Sequence, residues 1–353
     1  GMVNALSDFS PDISRIATPL RELLKTKNAF VWLDPHTQAF QEIKQLLVKT
    51  PILATFDSKL PTRLETDASR LHGLGFNLLQ QHEDGWKLVQ CGSRFLSDPE
   101  TRYSMVELES IAIKYAISKC RLYLAGLPRF TVITDHRPLI PLFNNYSLAQ
   151  IENMKIQKIK ADLMSEYQFV VEWRRGKDHV IADCLSRAPV DPPPEDDEFA
   201  VIRTTTIATI RAIVGNVEHE KSSNEKCTSS SPISDPIIEQ IREAAINDPE
   251  YVELVNAVMN DFTNLNKCGT LTKQLKTLKD ELSVDNGLVL YGPRLIIPKS
   301  MRREILNRLH TAHQGITRTK QRARQALYWP GLSNEITELI ERCDICQERL
   351  PSL

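Results

Sequence analysis

Two sets of side chains in this 353-residue sequence have the types and spacing for metal chemistry. The first set is acidic. Asp67 lies in Glu65-Thr66-Asp67-Ala68-Ser69, and Asp135 closes Val132-Ile133-Thr134-Asp135. Glu109 lies in Glu107-Leu108-Glu109-Ser110-Ile111-Ala112-Ile113, and Asp183 in Ile181-Ala182-Asp183-Cys184-Leu185-Ser186-Arg187. Converging carboxylates do not all ionise together unless a cation neutralises them. Oxygen donors suit Mg²⁺ or Mn²⁺ rather than zinc. Two such ions about 3.5–4 Å apart activate a water and stabilise the leaving oxygen of an in-line phosphodiester hydrolysis. Taken singly, each acid has a plainer reading: a cap or turn residue at a strand end, or a solvated helix residue. The order of the surrounding elements turns them into a set.

The second set mixes nitrogen and sulfur. His310-Thr311-Ala312-His313 precedes Cys343-Asp344-Ile345-Cys346 by 29 residues. Two imidazoles and two thiolates complete a tetrahedral Zn²⁺ shell with no open position, so the ion is expected to be structural. A Cys-x-x-Cys alone would also fit a redox pair. The other five cysteines are scattered, which fits a reducing compartment with one metal site rather than a disulfide framework.

The elements that must carry the acids follow an α/β order. Strands are expected at 62–66, 75–80 and 87–93, with a hairpin turn at Glu83-Asp84-Gly85, then a helix over 104–124 and a buried strand over 130–134. A Lys-rich helix over 148–167, a strand over 169–173 and a helix over 180–186 complete a mixed five-stranded sheet with flanking helices. Residues 1–60 read as a short helical segment too small for its own core. Residues 189–235 contain Pro192-Pro193-Pro194 and serine-rich stretches, and read as a flexible linker in which only 199–217 has the composition to pack, as a strand. Beyond it, helices are expected at 236–260 and 268–280, then a hairpin turning at Asp285-Asn286-Gly287 within a segment ending at 298. Further helices at 299–313, 316–327 and 333–342 make residues 299–353 a small, mainly helical zinc-binding domain.

Composition narrows the function classes. Lys and Arg number 44 against 45 Asp and Glu, a formal net charge of −1, which excludes a uniformly basic nucleic-acid binder but not local basic patches. No apolar run is long enough to span a bilayer, so no membrane partner is expected. One basic stripe stands out between 301 and 324: Arg302, Arg303, Arg308, Arg318, Lys320, Arg322 and Arg324 against Glu304. It suits a nucleic-acid backbone or, more plainly, a solvated face.

Residues 61–188 resemble the ribonuclease H domain of gypsy-type LTR-retrotransposon Pol polyproteins. The resemblance runs through Leu64-Glu65-Thr66-Asp67-Ala68-Ser69, Gly73-Leu74-Gly75, Ser93-Arg94, Tyr103-Ser104, Tyr123-Leu124, Thr134-Asp135-His136, Pro138-Leu139 and Ala182-Asp183-Cys184-Leu185-Ser186-Arg187, in family order. Residues 1–60 resemble the stretch joining polymerase to ribonuclease H, a thumb or connection remnant. The resemblance implies metal-binding, catalytic roles for Asp67, Glu109, Asp135 and Asp183. Glu109 is preferred over Glu107 because Glu-x-x-Ala-Ile fits the family's helix motif. One departure is His179, where the family usually has Asn; it reads either as a helix cap or as an auxiliary group for the water or leaving group. In Trp173-Arg174-Arg175-Gly176-Lys177, the three cations Arg174, Arg175 and Lys177 either grip phosphate or form a solvated turn.

The zinc segment resembles the N-terminal HHCC module of retroelement integrases through Leu309-His310, His313-Gln314-Gly315, Tyr328-Trp329-Pro330-Gly331, Cys343 and Cys346-Gln347. No Tyr-x-Asp-Asp polymerase motif occurs, and an integrase catalytic core is lacking, so the chain reads as an interior slice of a polyprotein. The expected function is metal-dependent hydrolysis of the RNA strand of RNA–DNA hybrids, with two Mg²⁺ (or Mn²⁺) and one structural Zn²⁺. Expected partners are RNA–DNA hybrid, other nucleic acid, and the polymerase and integrase regions of the parent polyprotein. An intracellular setting, cytoplasmic particle or nucleus, is expected. The competing reading is a catalytically inactive or domesticated nucleic-acid-binding protein.

Overall fold

Near-continuous burial along Thr62-Arg63-Leu64-Glu65-Thr66-Asp67-Ala68, with only Arg63 partly exposed, sets the first strand into a sheet covered on both faces. In the computed structural model, which describes residues 15–23, 30–49, 54–83, 85–195, 197–214, 236–262 and 268–348, the chain divides into two compact units. The first comprises residues 1–97, 106–151 and 156–194; the second comprises 98–105, 152–155 and 195–353.

The first unit holds a five-stranded sheet of β1 (Thr62–Ala68), β2 (Gly73–His82), β3 (Gly85–Phe95), β4 (Phe130–Thr134) and β5 (Phe169–Trp173), in the order β3-β2-β1-β4-β5. β1, β2 and β3 form an antiparallel meander, while β4 and β5 join parallel to β1. Helices α1 (Thr18–Glu22) and α2 (Asp34–Lys49) precede the sheet. α3 (Met105–Lys119) and α4 (Arg121–Leu124) lie between β3 and β4. α5 (Leu139–Asn144), α6 (Met154–Glu166) and α7 (Val180–Arg187) follow, with β5 between the last two. The mixed sheet with flanking helices is the architecture the sequence pattern implies. The helix α5 has no counterpart in that pattern, being only six residues long. The turn at Glu83-Asp84-Gly85 includes Asp84, which lies outside the described residues; pairing of His82 with Gly85 fixes the register on either side.

One face of β1 and β2 carries Leu64, Leu74, Phe76 and Leu78, all essentially buried. α3 covers this face with Leu108, Ile111 and Ala112, and the Phe76 and Tyr115 rings meet edge-on at 5.6 Å. Burying such aliphatic and aromatic side chains stabilises the unit by about 1.5–3 kcal/mol each. The opposite face carries Arg63, Glu65 and Asp67 and is crossed by α7.

The second unit departs further from expectation. The stretch read as a linker with a packing strand instead forms helix α8 (Ala200–Val214), whose Ile210 and Ile213 are buried in the unit's core. Burial at 210 and 213 follows helical spacing, whereas a strand would have alternated them across two faces. Residues 215–235, the last part of that expected linker, lie outside the described residues, whereas Asp191 near its start bridges to Arg94 of β3. The single helix expected over 236–260 is two, α9 (Pro236–Ile246) and α10 (Pro249–Met259). Asp248 starts the second by accepting from the amides of Glu250 and Tyr251, with Pro249 in the first turn.

α11 (Thr270–Leu275) leads to β6 (Leu282–Asp285) and β7 (Leu288–Tyr291), joined by Asn286 and Gly287 at positive φ as the Asp-Asn-Gly turn requires. Two further strands, β8 (Arg294–Ile296) and β9 (Leu327–Tyr328), extend this hairpin to four strands. β9 follows α12 (Arg302–His310) and α13 (Gly315–Ala326), and precedes α14 (Leu332–Glu341) and α15 (Asp344–Glu348). Because β8 pairs with β9, the hairpin segment and the expected zinc-binding domain share a sheet across the boundary placed at 298/299. They share a core as well, running from Ile210 through Tyr251, Leu295 and Trp329 to Cys346. Tyr251 secures it, donating to Ile296 O at 2.8 Å and accepting from Val289 N at 2.9 Å. Among the described residues, no helix is long and apolar enough to cross a membrane.

Candidate metal centres

The parallel pairing of β1 with β4 places Glu65 beside Ile133. Two residues further along each strand, Asp67 and Asp135 therefore leave the sheet side by side. α3 contributes Glu109, a completely buried side chain near the same strand ends; Thr134 Oγ1 lies 3.4 Å from its Oε2. Asp67, Glu109 and Asp135 each offer an oxygen within 4.8 Å of the other two. Three acids from three elements thus meet at the carboxyl ends of parallel strands, where open α/β sheets place their ligand crevices.

The electrostatics follow from that crowding. Burial raises the Asp67 carboxyl to about 7, with the Asp135 and Asp183 charges adding to the shift and the Ser186 hydroxyl opposing it. Glu109 is pushed well above the usual carboxylate range, first by burial, then by Asp67 and Asp135. Crowded, mutually repelling hard-oxygen donors, two of them buried, fit a divalent cation better than any arrangement of the bare acids.

Asp183 stands apart from this group. The expectation of four acids within mutual reach is met by three; Asp183 on α7 is held at 2.7 Å by Arg187, four residues along the helix, and is near enough for its charge to act on Asp67. An acid on the surface of an amphipathic helix turns toward the nearest cation, a contact that spacing along the chain does not distinguish from ligation.

His179 occupies the N-cap position of α7, as the cap reading expects, with its carbonyl accepting from Asp183 N at 3.2 Å, although its side chain makes no cap hydrogen bond. It is fully buried rather than a solvent-facing auxiliary group, and Nε2 lies 2.8 Å from Thr66 O. Arg174 also has a different partner from the expected phosphate: it pairs at 2.6 Å with Glu65, a buried acid that also accepts from Asn77 at 2.9 Å and pairs with Arg63. Arg175 and Lys177 are exposed in the loop after β5. That loop passes so close to the acids that a Cβ at Gly176 would lie 2.7 Å from Asp135 Oδ2.

Sequence spacing alone missed Ser186, whose Oγ lies 2.5 Å from Asp67 Oδ2, and Thr134 beside Glu109. The available signal was a hydroxyl residue adjacent to, or three residues from, an acid in each motif. The direction of the hydroxyl is set by the fold.

In the second unit, His310, His313, Cys343 and Cys346 converge. Cys343 Sγ lies 3.4 Å from His313 Nδ1, and Cys346 Sγ lies 3.6 Å from both His310 Nε2 and His313 Nδ1. Zn–S and Zn–N bonds of ordinary length at a tetrahedral angle separate S from N by about 3.6 Å. The four donors therefore already have the spacing of a tetrahedral zinc shell. His313 reaches it from a residue at φ 47°, followed by Gly315 at φ 78°, the turn that ends one helix and starts the next. Burial, with His313 nearby, lowers the pKa of His310, which favours the neutral imidazole a metal needs.

The basic stripe divides. Residues 318 and 322 lie on one face of α13 and residues 320 and 324 on another, about 200° round. Arg322 donates to Ile213 O at 3.0 Å and so serves the core packing of α8. Arg318 is exposed. Lys320 and Arg324 line a cleft of 360 Å³ with Arg294, Tyr328 and Asn334.

Residues 32–132 match the RNase H-like domain found in reverse transcriptase, and residues 297–352 match the integrase zinc-binding domain. The first match includes Asp67 and Glu109; the second includes all four His and Cys residues. The Tf2-3 and Tf2-4 transposon polyproteins of Schizosaccharomyces pombe are each 28% identical over 360 residues, covering 98% of this chain. The chain spans 24% of the length of either relative. Among solved structures, a foamy viral protease-reverse transcriptase in complex with dsDNA matches 56% of this chain and 40% of its own, at 16% identity and a TM-score of 0.41. The N-terminal RNase H domain of rv2228c from Mycobacterium tuberculosis, a fusion with maltose binding protein, matches 37% of this chain and 100% of its own, at 14% identity and a TM-score of 0.30.

Proposed function

We propose, from the premise that this chain is a stretch of gypsy-type LTR-retrotransposon Pol joining an RNase H-like reverse-transcriptase domain to an integrase zinc-binding domain, that its first unit hydrolyses the RNA strand of RNA–DNA hybrids. The observation that carries the reading is the meeting of Asp67, Glu109 and Asp135 within 4.8 Å, with burial pushing the Asp67 and Glu109 carboxyls up. Mg²⁺ or Mn²⁺, bound as a pair, supplies an activated water and a clamp on the leaving oxygen. Asp67, Glu109 and Asp135 would hold the ions, and Asp183, whose charge reaches Asp67, would be the fourth acid beside them.

The chain's own groups orient this set. Ser186 and Thr134 fix carboxylate oxygens from α7 and β4, and Gly176 lets the loop after β5 approach Asp135. The Glu65–Arg174 pair anchors the start of that loop, leaving Arg175 and Lys177 to meet phosphate. Selectivity rests on groove shape and 2′-hydroxyls rather than base identity, so cleavage is independent of sequence.

The second unit holds one structural Zn²⁺ through His310, His313, Cys343 and Cys346, and offers Arg318, Lys320 and Arg324 to nucleic acid. Its partners are nucleic acid and the polymerase and integrase regions of the parent polyprotein, in an intracellular particle or nucleus.

Hydrolysis of a labelled RNA–DNA hybrid in Mg²⁺, wild type against Asp67→Asn, tests the enzyme reading. The expected result is loss of cleavage in the variant. Equal background rates in both proteins would leave the non-catalytic, domesticated reading in its place.

A further inference from the structure

We infer that Ser186 is a positioning residue of the carboxylate centre, brought onto Asp67 because Gly75 lets α7 lie directly against β2. The inference deepens the ribonuclease reading and rests on it.

Gly75 pairs with Asp67 across the β1–β2 ladder. A Cβ at position 75 would lie 2.4 Å from Ser186 N, 2.6 Å from Ala182 O and 2.8 Å from Leu185 C. All three are backbone atoms and cannot swing away, so any side chain at 75 lifts the helix off the strand. Close approach, rather than an unusual φ, is what the glycine provides. With the helix seated, the fully buried Ser186 places Oγ 2.5 Å from Asp67 Oδ2. The other end of α7 is secured to the preceding residue of the same strand. There His179 Nε2 lies 2.8 Å from Thr66 O, and since a carbonyl only accepts, Nε2 carries the proton.

The carboxylate of an aspartate turns freely about its last torsion, which has broad preferences. A metal site tolerates errors of only about 0.5 Å and 10–20° in its donors. A hydroxyl fixed to one oxygen holds the carboxylate plane. It also donates to the ionised form, the stronger kind of hydrogen bond. Ser186 has a competing acceptor in Asp183 O at 2.9 Å, three residues back on its own helix. One hydroxyl has one proton, and the shorter contact to a charged oxygen takes it. Ser186 thereby connects the seating of α7, which also carries Asp183, to the orientation of Asp67.

The test is Mn²⁺ binding to the zinc-saturated full chain, measured by titration calorimetry without nucleic acid, alongside the unfolding temperature. Ser186→Ala is expected to weaken Mn²⁺ binding about tenfold. Ser186→Thr, which keeps the hydroxyl, is expected to stay within about threefold of wild type. Gly75→Ala is expected to reproduce the Ser186→Ala loss although residue 75 has no polar side chain. Wild-type affinity in Ser186→Ala, or Thr and Ala variants equally weak, would overturn the inference and leave Ser186 a packing residue. If Ser186→Ala fails to fold, Ser186→Cys preserves the volume with a weaker donor and carries the same comparison. Asp67→Asn distinguishes the two levels: wild-type Mn²⁺ affinity there removes the carboxylate reading itself, whereas its loss with unchanged Ser186→Ala binding removes only the role of Ser186.

Discussion

The carboxylate centre and the His–Cys centre assemble their donors in opposite ways. Asp67, Glu109 and Asp135 come from β1, α3 and the end of β4, and they meet only when a five-stranded sheet has formed. His310 and His313 come from one helix end and the turn after it, and Cys343 and Cys346 from the turn after α14 and the short helix α15 that follows it. The acids repel one another and are held together by a core that forms without them. The zinc donors do not repel in their metal-binding form, and their ion contributes to the folding of the elements around it. The lesson is that burial and convergence have different meanings in the two units: stored repulsion that a catalytic cation relieves, or a closed shell whose purpose is cohesion.

The comparison can be broken most decisively by paired substitutions. Glu109→Gln, like Asp67→Asn, is expected to lower hybrid cleavage by at least about 100-fold, measured as initial rate in saturating Mg²⁺. In metal-free buffer the same change is expected to raise the unfolding temperature, because a buried group pressed between two like charges becomes neutral. A lower unfolding temperature would show that the acids contribute cohesion, contrary to the contrast drawn above.

Cys346→Ser is expected to do the reverse. It destabilises the second unit by several kcal/mol and leaves hybrid cleavage near the wild-type rate. Since that unit's core runs from Ile210 to Cys346, hydrogen exchange should increase in α8 and α10 as well as after residue 298. Exchange confined to residues beyond 298 would restore the smaller zinc domain expected from sequence.

Proton linkage sharpens the contrast further. The Asp67 carboxyl titrates near 7 in the folded chain and near 3.8 when unfolded, so between those values the folded state binds the extra proton. Its contribution to the stability of the metal-free protein is therefore present below about pH 4 and is lost as pH rises toward 7, by a few kcal/mol. Denaturant melts across that window should show the decline, Asp67→Asn should reduce it to the share that the raised Glu109 carboxyl contributes, and Mg²⁺ should offset it at pH 7. His310 shifts the opposite way, downward, as a group that must stay neutral for its metal.

The smallest expected effects concern the surface cations. Lys320→Ala and Arg324→Ala should each weaken nucleic-acid binding by the second unit and reduce the salt slope by about one. Arg322→Ala should leave that slope unchanged and lower stability instead, because its guanidinium serves the Ile213 carbonyl. Equal slopes in all three variants would return α13 to an ordinary solvated helix.

Much of this was legible in the sequence because it depends on local rules. The alternation of charged with uncharged residues along Thr62–Ala68, the Asp-Asn-Gly turn and the His-x-x-His and Cys-x-x-Cys spacings each act within a few residues. Resemblance to a known family then added which acids to choose. Helix α8 was misread because a run such as Ala200-Val201-Ile202 through Thr204-Thr205-Thr206 has strand propensity, and only packing of Ile210 and Ile213 into a distant core makes it a helix. The division of 236–260 was readable at Asp248-Pro249, a cap followed by a first-turn proline.

The sequence by itself determined the donor types, and with them which metals each centre suits, since oxygen, nitrogen and sulfur differ in hardness wherever they are placed. It also determined the strand and helix order from which a mixed sheet follows. Tertiary structure alone decided that Asp183 stands outside the close trio, that Arg174 answers to Glu65, and that His179 and Ser186 brace a helix against β1. Those outcomes depend on which of several chemically similar partners a side chain reaches first. Distance in space settles that choice, and two residues more than a hundred positions apart carry no record of it in their types.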